Sequence, residues 1–203
     1  MMKKLLLFLT AACALTVSIA ACDKLPGKQQ REAFQNTDVT GVDYAKGFAL
    51  TDHTGKPRTL ADFKGKAVVV FFGYTQCPDV CPTTMAEMAT VMQKLGPLAD
   101  QVQVLFITLD PERDTQQLLA SYVPAFDKRF IGLRGTPEQT AKTAKEFKVF
   151  YSKVPGTDPG SYTIDHTAAS YVLDRDAKVR LFVRYGSGAP ALAADLKALL
   201  KTG

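Results

Sequence analysis

The chain has 203 residues, of which 46% are hydrophobic, enough for one sizeable core but not for two. Its formal net charge of +5 falls to +3 without Lys3 and Lys4, which lie in a segment that we expect to be removed. The remaining Lys and Arg residues form no block, so the concentrated basic face that phosphate binding requires is not predicted. The composition therefore argues against nucleic acid as a partner.

Residues 1–21 are predicted to form a lipoprotein signal peptide. Two lysines precede an apolar run over residues 5–19, which is short for a membrane-spanning helix and ends in small residues before Cys22. This ending resembles the lipobox of bacterial lipoproteins, in which the cysteine is acylated. We expect a lipid on Cys22 that anchors the protein in the bacterial cell envelope, facing the periplasm, with Asp23 favouring the inner membrane. An ordinary cleaved signal and an uncleaved anchor remain as alternatives.

Two cysteines remain as candidates for chemistry once this segment is discounted. Cys13 lies in the predicted signal peptide and Cys22 would carry the lipid, which leaves Cys77 and Cys81 as thiols. One close pair does not make the disulfide framework of a small exported protein. The pair lies directly after a strand-like apolar run and directly before a helix-like one, where it could close a disulfide or bind a soft metal ion.

The rest of the chain predicts alternating strands and helices. Residues 22–39 are polar and are predicted to form a flexible tether, followed by one folded domain over residues 40–203. The predicted elements, in chain order, are a hairpin with Gly55 in its turn, a strand over 67–72, a helix over 82–95, a strand over 102–109, a helix over 116–126, a strand over 130–133, a helix over 137–147, a loop or hairpin over 149–164, strands over 168–173 and 179–185, and a helix over 190–200.

This order predicts an α/β fold with a central mixed sheet flanked by helices, in the thioredoxin-like arrangement. An N-terminal hairpin precedes it, and a loop or hairpin insertion comes before the late strand pair. Ligand chemistry in such sheets gathers outside the carboxyl ends of the parallel strands. The loop with Cys77 and Cys81 follows the strand over 67–72 and so lies at that edge.

Two histidines are candidates for a third ligand. His53 falls in the predicted turn, and we expect it to face solvent. His166 directly precedes the strand over 168–173. If that strand runs antiparallel beside residues 67–72, His166 lies at the same rim as the cysteines. A histidine at a strand end that only hydrogen-bonds to a loop remains the alternative.

Three blocks, over residues 73–82, 109–115 and 162–166, resemble the signature motifs of the Sco/SenC family. The resemblance covers roughly residues 42–200. It implies a membrane-anchored, thioredoxin-like protein that binds copper, as Cu(I) or Cu(II), through Cys77, Cys81 and His166. It also implies a role in assembling the binuclear copper site of cytochrome c oxidase subunit II, or of another periplasmic client, as metal donor, thiol reductant or both. A thiol reductant is the implied second partner.

The residue types suit this chemistry. Two thiolates and one imidazole form a soft-to-borderline set that favours copper over hard cations. Three ligands leave a position open for transfer, whereas a structural zinc site is normally closed by four. Cys81 is predicted to lie in the first turn of its helix, where free N–H groups and the helix dipole would lower the pKa of its thiol.

Other functions of the same residues stay open. Cys77 and Cys81 could be the catalytic pair of a thiol–disulfide oxidoreductase, or of a protein of redox or oxidative-stress defence. A peroxidase is less well supported, because no further thiol is available as a resolving partner.

Several polar and sulfur-containing side chains near the motifs have simpler interpretations. Asp79 and Asp165 would either orient the ligands or be solvated loop acids. Asp110 and Asp114 are explained by a loop in which Asp114 or Thr115 caps a helix. Three methionines at helical spacing are predicted to be core residues, namely Met85, Met88 and Met92.

Copper binding is predicted to require the reduced protein, because a disulfide between Cys77 and Cys81 has no thiolate to offer. In an oxidising compartment the pair tends to close. Copper affinity measured before and after treatment with a thiol reductant checks this point. Equal affinity of the oxidised and reduced forms would contradict it.

Overall fold

The computed structural model describes residues 34–202, so the predicted signal peptide, Cys22 and the first part of the predicted tether lie outside the described residues. The strands are β1 (Thr37–Asp38), β2 (Ala49–Asp52), β3 (Pro57–Thr59), β4 (Ala67–Gly73), β5 (Val102–Thr108), β6 (Ile131–Arg134), β7 (Tyr151–Pro155), β8 (Tyr162–His166), β9 (Ala169–Leu173) and β10 (Val179–Arg184). The α-helices are α1 (Val80–Leu95), α2 (Gln116–Tyr122), α3 (Pro137–Glu146) and α4 (Ala189–Thr202).

Eight strands form one mixed sheet in the order β1-β10-β9-β4-β5-β6-β2-β3. Strands β4, β5 and β6 are parallel, and β9 runs antiparallel to β4 with Phe71 opposite Ser170. This arrangement confirms the predicted α/β fold and the antiparallel neighbour on which the placement of His166 depends.

Apolar runs make β4 and β5 the centre of the sheet. All residues of both strands are buried, as expected for strands that are covered on two faces. Helices α1 and α4 cover one face, and Met85, Met88 and Met92 of α1 are 0–3% exposed within that layer. The prediction that these methionines are core residues is confirmed.

The folded domain begins earlier than the predicted Thr40. Strand β1 pairs with β10, and the buried carboxylate of Asp195 on α4 accepts hydrogen bonds from the backbone N–H groups of Gln35 and Asn36 at 2.7 and 2.9 Å. The Asn36 side chain adds a third bond at 2.8 Å. Residues 34–39 therefore belong to the domain rather than to the tether, because their polar groups satisfy a carboxylate that is only 2% exposed.

The predicted insertion is a two-stranded hairpin of β7 and β8, which forms a sheet of its own. Tyr151 lies opposite His166 in this hairpin. His166 is the last residue of β8 and lies three positions before β9.

Helix α2 ends at Tyr122, earlier than predicted, and continues as a 3₁₀ turn over Val123–Ala125 that contains Pro124. Within residues 34–202, none of the helices is both long and apolar enough to cross a membrane.

Replacing Asp195 by Ala should destabilise the domain by about 1–3 kcal/mol, because three donors of Gln35 and Asn36 lose their acceptor. Urea unfolding of the two proteins measures the difference. The exposed Asp176 provides a control, since Asp176→Ala should stay within about 0.5 kcal/mol of the parent. Equal effects of the two substitutions would show that the hydrogen bonds between Asp195 and the N-terminal segment add no stability.

Candidate metal centre

Three side chains from distant parts of the chain meet at one rim of the sheet. Cys77 lies in the loop after β4, Cys81 is the second residue of α1, and His166 ends β8. Their ligand atoms all lie within 4.8 Å of one another, and Cys81 Sγ is 3.6 Å from His166 Nε2. Both thiols are free. The structure thus brings together all three residues that the sequence singled out.

The end of β4 leaves room for the Cys81 sulfur because its last residue is a glycine. A Cβ atom on Gly73 would lie 2.9 Å from Cys81 Sγ and 3.0 Å from ring atoms of Phe71 and Phe106. Such distances are shorter than van der Waals contact, so any larger residue would displace the sulfur or the rings. The Gly73 carbonyl also accepts a hydrogen bond from Leu109 N–H at 2.8 Å, which fixes the end of β4 to the residue that follows β5.

Backbone N–H groups point at both sulfurs. Cys81 N–H donates to Cys77 Sγ at 3.4 Å, and Tyr74 N–H donates to the Cys81 sulfur. Even so, burial raises the pKa of the Cys81 thiol, and the neighbouring Cys77 and Asp114 raise it further. The predicted position in the first turn of α1 is confirmed, but the expected low pKa is wrong, because the thiol is 0% exposed and loses more solvation than the helix terminus restores.

The imidazole of His166 is held with one nitrogen toward the sulfurs. Its Nδ1 lies 3.1 Å from the Thr167 carbonyl oxygen, which can only accept, so Nδ1 carries the proton and Nε2 presents a lone pair. The rings of Phe71 and Tyr74 lie edge-on to it, with centroids at 6.2 and 6.1 Å. Burial lowers the pKa of His166, which favours the neutral form that binds metals.

The buried carboxylate of Asp114 holds the cysteine loop by hydrogen bonds to Thr75. It is 0% exposed and accepts hydrogen bonds from Thr75 N–H at 3.0 Å, from Thr75 Oγ1 at 2.5 Å and from Thr108 Oγ1 at 2.6 Å. Burial raises the pKa of this carboxyl although the three bonds oppose the increase. The helix cap is Thr115, whose hydroxyl accepts from Leu118 N–H. The interpretation of Asp114 as a loop acid near a cap therefore missed its buried role.

Asp110 connects the same loop to the histidine hairpin. Its carboxylate is 1% exposed, accepts the Tyr162 hydroxyl at 2.9 Å and forms an ion pair with Arg113. The sequence did not reveal this contact, because its partner Tyr162 lies 52 residues further along the chain. The only available signal was an acid placed directly after a buried strand.

A family model described as SCO1/SenC matches residues 36–201. The chain belongs to the SCO1/SenC family. The Bos taurus relative named "Protein SCO2 homolog, mitochondrial" is 40% identical over 171 residues, which make up 82% of this chain and 62% of the relative. This SCO1/SenC chain spans about 60% of the length of the curated relatives it matches.

Solved structures of the family share the fold. The structure of Bradyrhizobium japonicum ScoI with copper bound is 42% identical, with a TM-score of 0.72, and the match covers 77% of this chain and 99% of that one. The solution structure of apo Sco1 from Thermus thermophilus is 37% identical, with a TM-score of 0.74 and coverage of 82% and 97%. Both confirm the predicted thioredoxin-like arrangement.

Three other residues that the sequence analysis considered lie outside the cluster of Cys77, Cys81 and His166. Asp79 is exposed and accepts a hydrogen bond from the Thr83 hydroxyl at 3.2 Å, and Asp165 is exposed on the outer face of β8. His53 is half-buried rather than solvent-facing, because its Nδ1 accepts Gly132 N–H at 3.0 Å. Its role is to close the turn between β2 and β3 against β6.

The reduced, metal-free SCO1/SenC protein should lose stability as the pH falls below 6.5, because burial holds the pKa of His166 below that ordinary value. The unfolded chain then binds a proton that the folded chain does not, and protonation favours unfolding by at most about 1.4 kcal/mol per pH unit. Urea unfolding at pH 7.5 and 5.5 measures the loss.

The control is His166→Gln, which cannot titrate, so its stability should fall less than that of the parent over this interval. Parallel losses in the two proteins would show that other groups account for the pH dependence.

Proposed function

We propose that this protein is a copper carrier that binds the ion through Cys77, Cys81 and His166 and passes it to a client. The observation that carries the proposal is the convergence of two thiols and an imidazole nitrogen within 4.8 Å. The client proposed is the binuclear copper site of cytochrome c oxidase subunit II. Support comes from the copper-bound state named for the related Bradyrhizobium japonicum ScoI.

The ligand set favours copper that can be released. Thiolates select Cu(I), and an imidazole suits both oxidation states of copper. No fourth histidine, cysteine or carboxylate joins the three within residues 34–202, so the closed ligand set of a structural zinc site is not formed there. Cys81 is buried while Cys77 and His166 are half-buried, so an acceptor site can approach from the side of Cys77 and His166.

Copper is the cargo of the proposed carrier, and the protons and N–H groups of the pocket determine how the three side chains can bind it. Binding displaces the thiol protons, including the one that burial holds on Cys81. The N–H groups of Tyr74 and Cys81 then donate to thiolates rather than to thiols. His166 needs no rearrangement of its proton, because Nε2 already lacks one.

The N-terminal segment would place this site at a membrane. We propose a lipid on Cys22, an inner-membrane anchor and a periplasm-facing domain in a bacterial cell envelope. The support is the charged start, the apolar run over residues 5–19 and the small residues before Cys22 in the sequence. The Bos taurus and Mus musculus relatives are named as mitochondrial proteins, a location that belongs to those proteins.

Reduction of a client disulfide is the second candidate, and the free thiols support it. Cys77 is half-buried and accepts Cys81 N–H, which suits an attacking thiolate, and Cys81 Sγ lies close enough to complete the exchange. In this reaction Cys77 and Cys81 become a disulfide and the client cysteines become a dithiol. A separate thiol reductant would then restore the pair.

Copper titration of the reduced protein and of His166→Ala tests the carrier. The parent should bind one copper ion per chain, and His166→Ala should lose at least about a hundredfold in Cu(II) affinity, since even partners of metal ligands are worth 10–100-fold. His53→Ala is the matched control, because it removes the other histidine without touching the cluster.

Unchanged copper binding by His166→Ala, together with rapid reduction of a subunit II disulfide, would reject the three-ligand carrier and favour the oxidoreductase.

A further inference from the structure

We propose that Asp110, Arg113 and Tyr162 form a latch that positions His166 beside the cysteine pair, and so determines whether a bound copper ion has two protein ligands or three. The proposal rests on the copper-carrier function. The latch residues do not touch the ion themselves. They are positioning residues that act through the strand β8.

The histidine hairpin needs such an attachment because the main sheet does not hold it. Strands β7 and β8 pair only with each other, apart from the eight-stranded sheet. The bonds at the base, between Phe150 and Thr167, also join the two arms of the hairpin to each other. Within residues 34–202, the backbone ladder of β8 therefore does not extend to β4, and His166 joins the main sheet only through the two residues that precede β9.

Side chains on the inner face of β8 provide the connection. Because side chains alternate along a strand, Tyr162, Ile164 and His166 share one face, and these are the three less exposed residues of β8. Ile164 is 4% exposed and packs in the core beside α1. Apolar contact of this kind holds the strand down but gives little direction to it. Tyr162, about 13 Å from His166 along the strand, makes directional contacts at the start of β8. Two other polar contacts also reach the hairpin: the Ile164 backbone bonds to the Tyr74 side chain, and Lys153 pairs with Glu112.

Within the latch, Asp110 and Arg113 make three contacts with Tyr162. Its hydroxyl donates to Asp110 Oδ1 at 2.9 Å, and its carbonyl oxygen accepts from Arg113 Nη1 at 2.9 Å. The Arg113 guanidinium lies 3.6 Å from the centroid of its ring. Arg113 and Asp110 are joined in turn by an ion pair with the Asp110 side chain 1% exposed. A buried, charge-assisted contact of this kind is directional and resists solvent.

The same loop also fixes the sulfurs. Asp110 N–H donates to the Thr108 hydroxyl at 2.9 Å, and that hydroxyl donates to Asp114, which holds Thr75 of the cysteine loop. One continuous set of hydrogen bonds therefore runs from the cysteine loop, through residues 108–114, to the start of β8. It sets the distance between the thiols and the imidazole.

Loss of the latch should affect the two oxidation states differently. Two thiolates satisfy Cu(I), which prefers soft ligands, and their loop remains bonded to Asp114 when the bond between Tyr162 and Asp110 is lost. Cu(II) depends more strongly on the imidazole nitrogen, and a loosened β8 presents that nitrogen for a smaller fraction of the time. A residue that merely stabilised the fold would instead weaken both affinities or neither.

The test compares Tyr162→Phe with the control Tyr151→Phe, which removes a hydroxyl from the other strand of the same hairpin. Tyr162→Phe keeps the ring on Arg113 and loses only the bond to Asp110. Tyr162→Phe should lower the Cu(II) affinity about tenfold and change the Cu(I) affinity less than twofold. In the electron paramagnetic resonance spectrum of the Cu(II) form, the hyperfine signal of the His166 nitrogen should weaken. Tyr151→Phe should leave both affinities unchanged.

A second measurement uses the reduced, metal-free protein. Amide hydrogen exchange of Ile164 and Asp165 in β8 should become faster in Tyr162→Phe, while exchange in β4 and β9 stays as in the parent. Arg113→Lys cannot bind Asp110 and the Tyr162 carbonyl at the same time, because it lacks the guanidinium fork. It should give the same pattern and replaces Tyr162→Phe if that variant fails to fold.

The outcomes separate this proposal from the carrier function. If His166→Ala weakens Cu(II) binding but Tyr162→Phe and Arg113→Lys change neither affinity nor exchange, the latch is wrong and the carrier stands. Equal losses of Cu(I) and Cu(II) affinity in these variants would also overturn the latch. If His166→Ala itself changes nothing, the three-ligand carrier fails first.

Discussion

The position of strand β4 is the constraint on which the rest of the structure depends. All seven of its residues are buried, and it is paired on both edges, with β5 parallel and β9 antiparallel. A strand fixed on both faces and both edges has an end whose position cannot drift. The loop after it therefore places Cys77 and Cys81 at a defined point of the rim. Because β9 starts at that rim, the chain that enters it passes the same rim, and the hairpin of β7 and β8 then sets where His166 lies.

Burial at this rim acts in opposite directions on the two kinds of ligand. It raises the pKa of the Cys81 thiol and lowers the pKa of His166, so both groups favour their neutral forms in the metal-free protein. A buried thiolate becomes favourable only when a cation replaces its proton. The pocket can thus exist without metal at no cost in buried charge, as a protein that alternates between loaded and empty states requires.

Two buried carboxylates relate the cysteine loop to the histidine hairpin. Asp114 accepts three hydrogen bonds, and Asp110 accepts the Tyr162 hydroxyl and pairs with Arg113. Burying an acid is unfavourable unless it is hydrogen-bonded or paired, so these two groups are stable only in the assembled rim. The short loop between β5 and α2 consequently does more than connect two elements. Its residues are hydrogen-bonded both to the cysteine loop and to the histidine hairpin, so it links the elements that carry the three proposed ligands.

The sequence alone determined the alternation of strands and helices, the cysteine pair after a central strand, the methionines in the core and the family motifs. The first three follow from local periodicity and spacing, and the motifs are recognised by their resemblance to those of a known family. Only the tertiary structure decided which polar residues are buried, because burial depends on partners far along the chain. Asp110 meets Tyr162, Asp195 binds the segment from Gln35, and Cys81 loses its solvent, each through contacts that neighbouring residues do not encode. The distance from His166 to the sulfurs belongs to the same class, since a separate hairpin sets it.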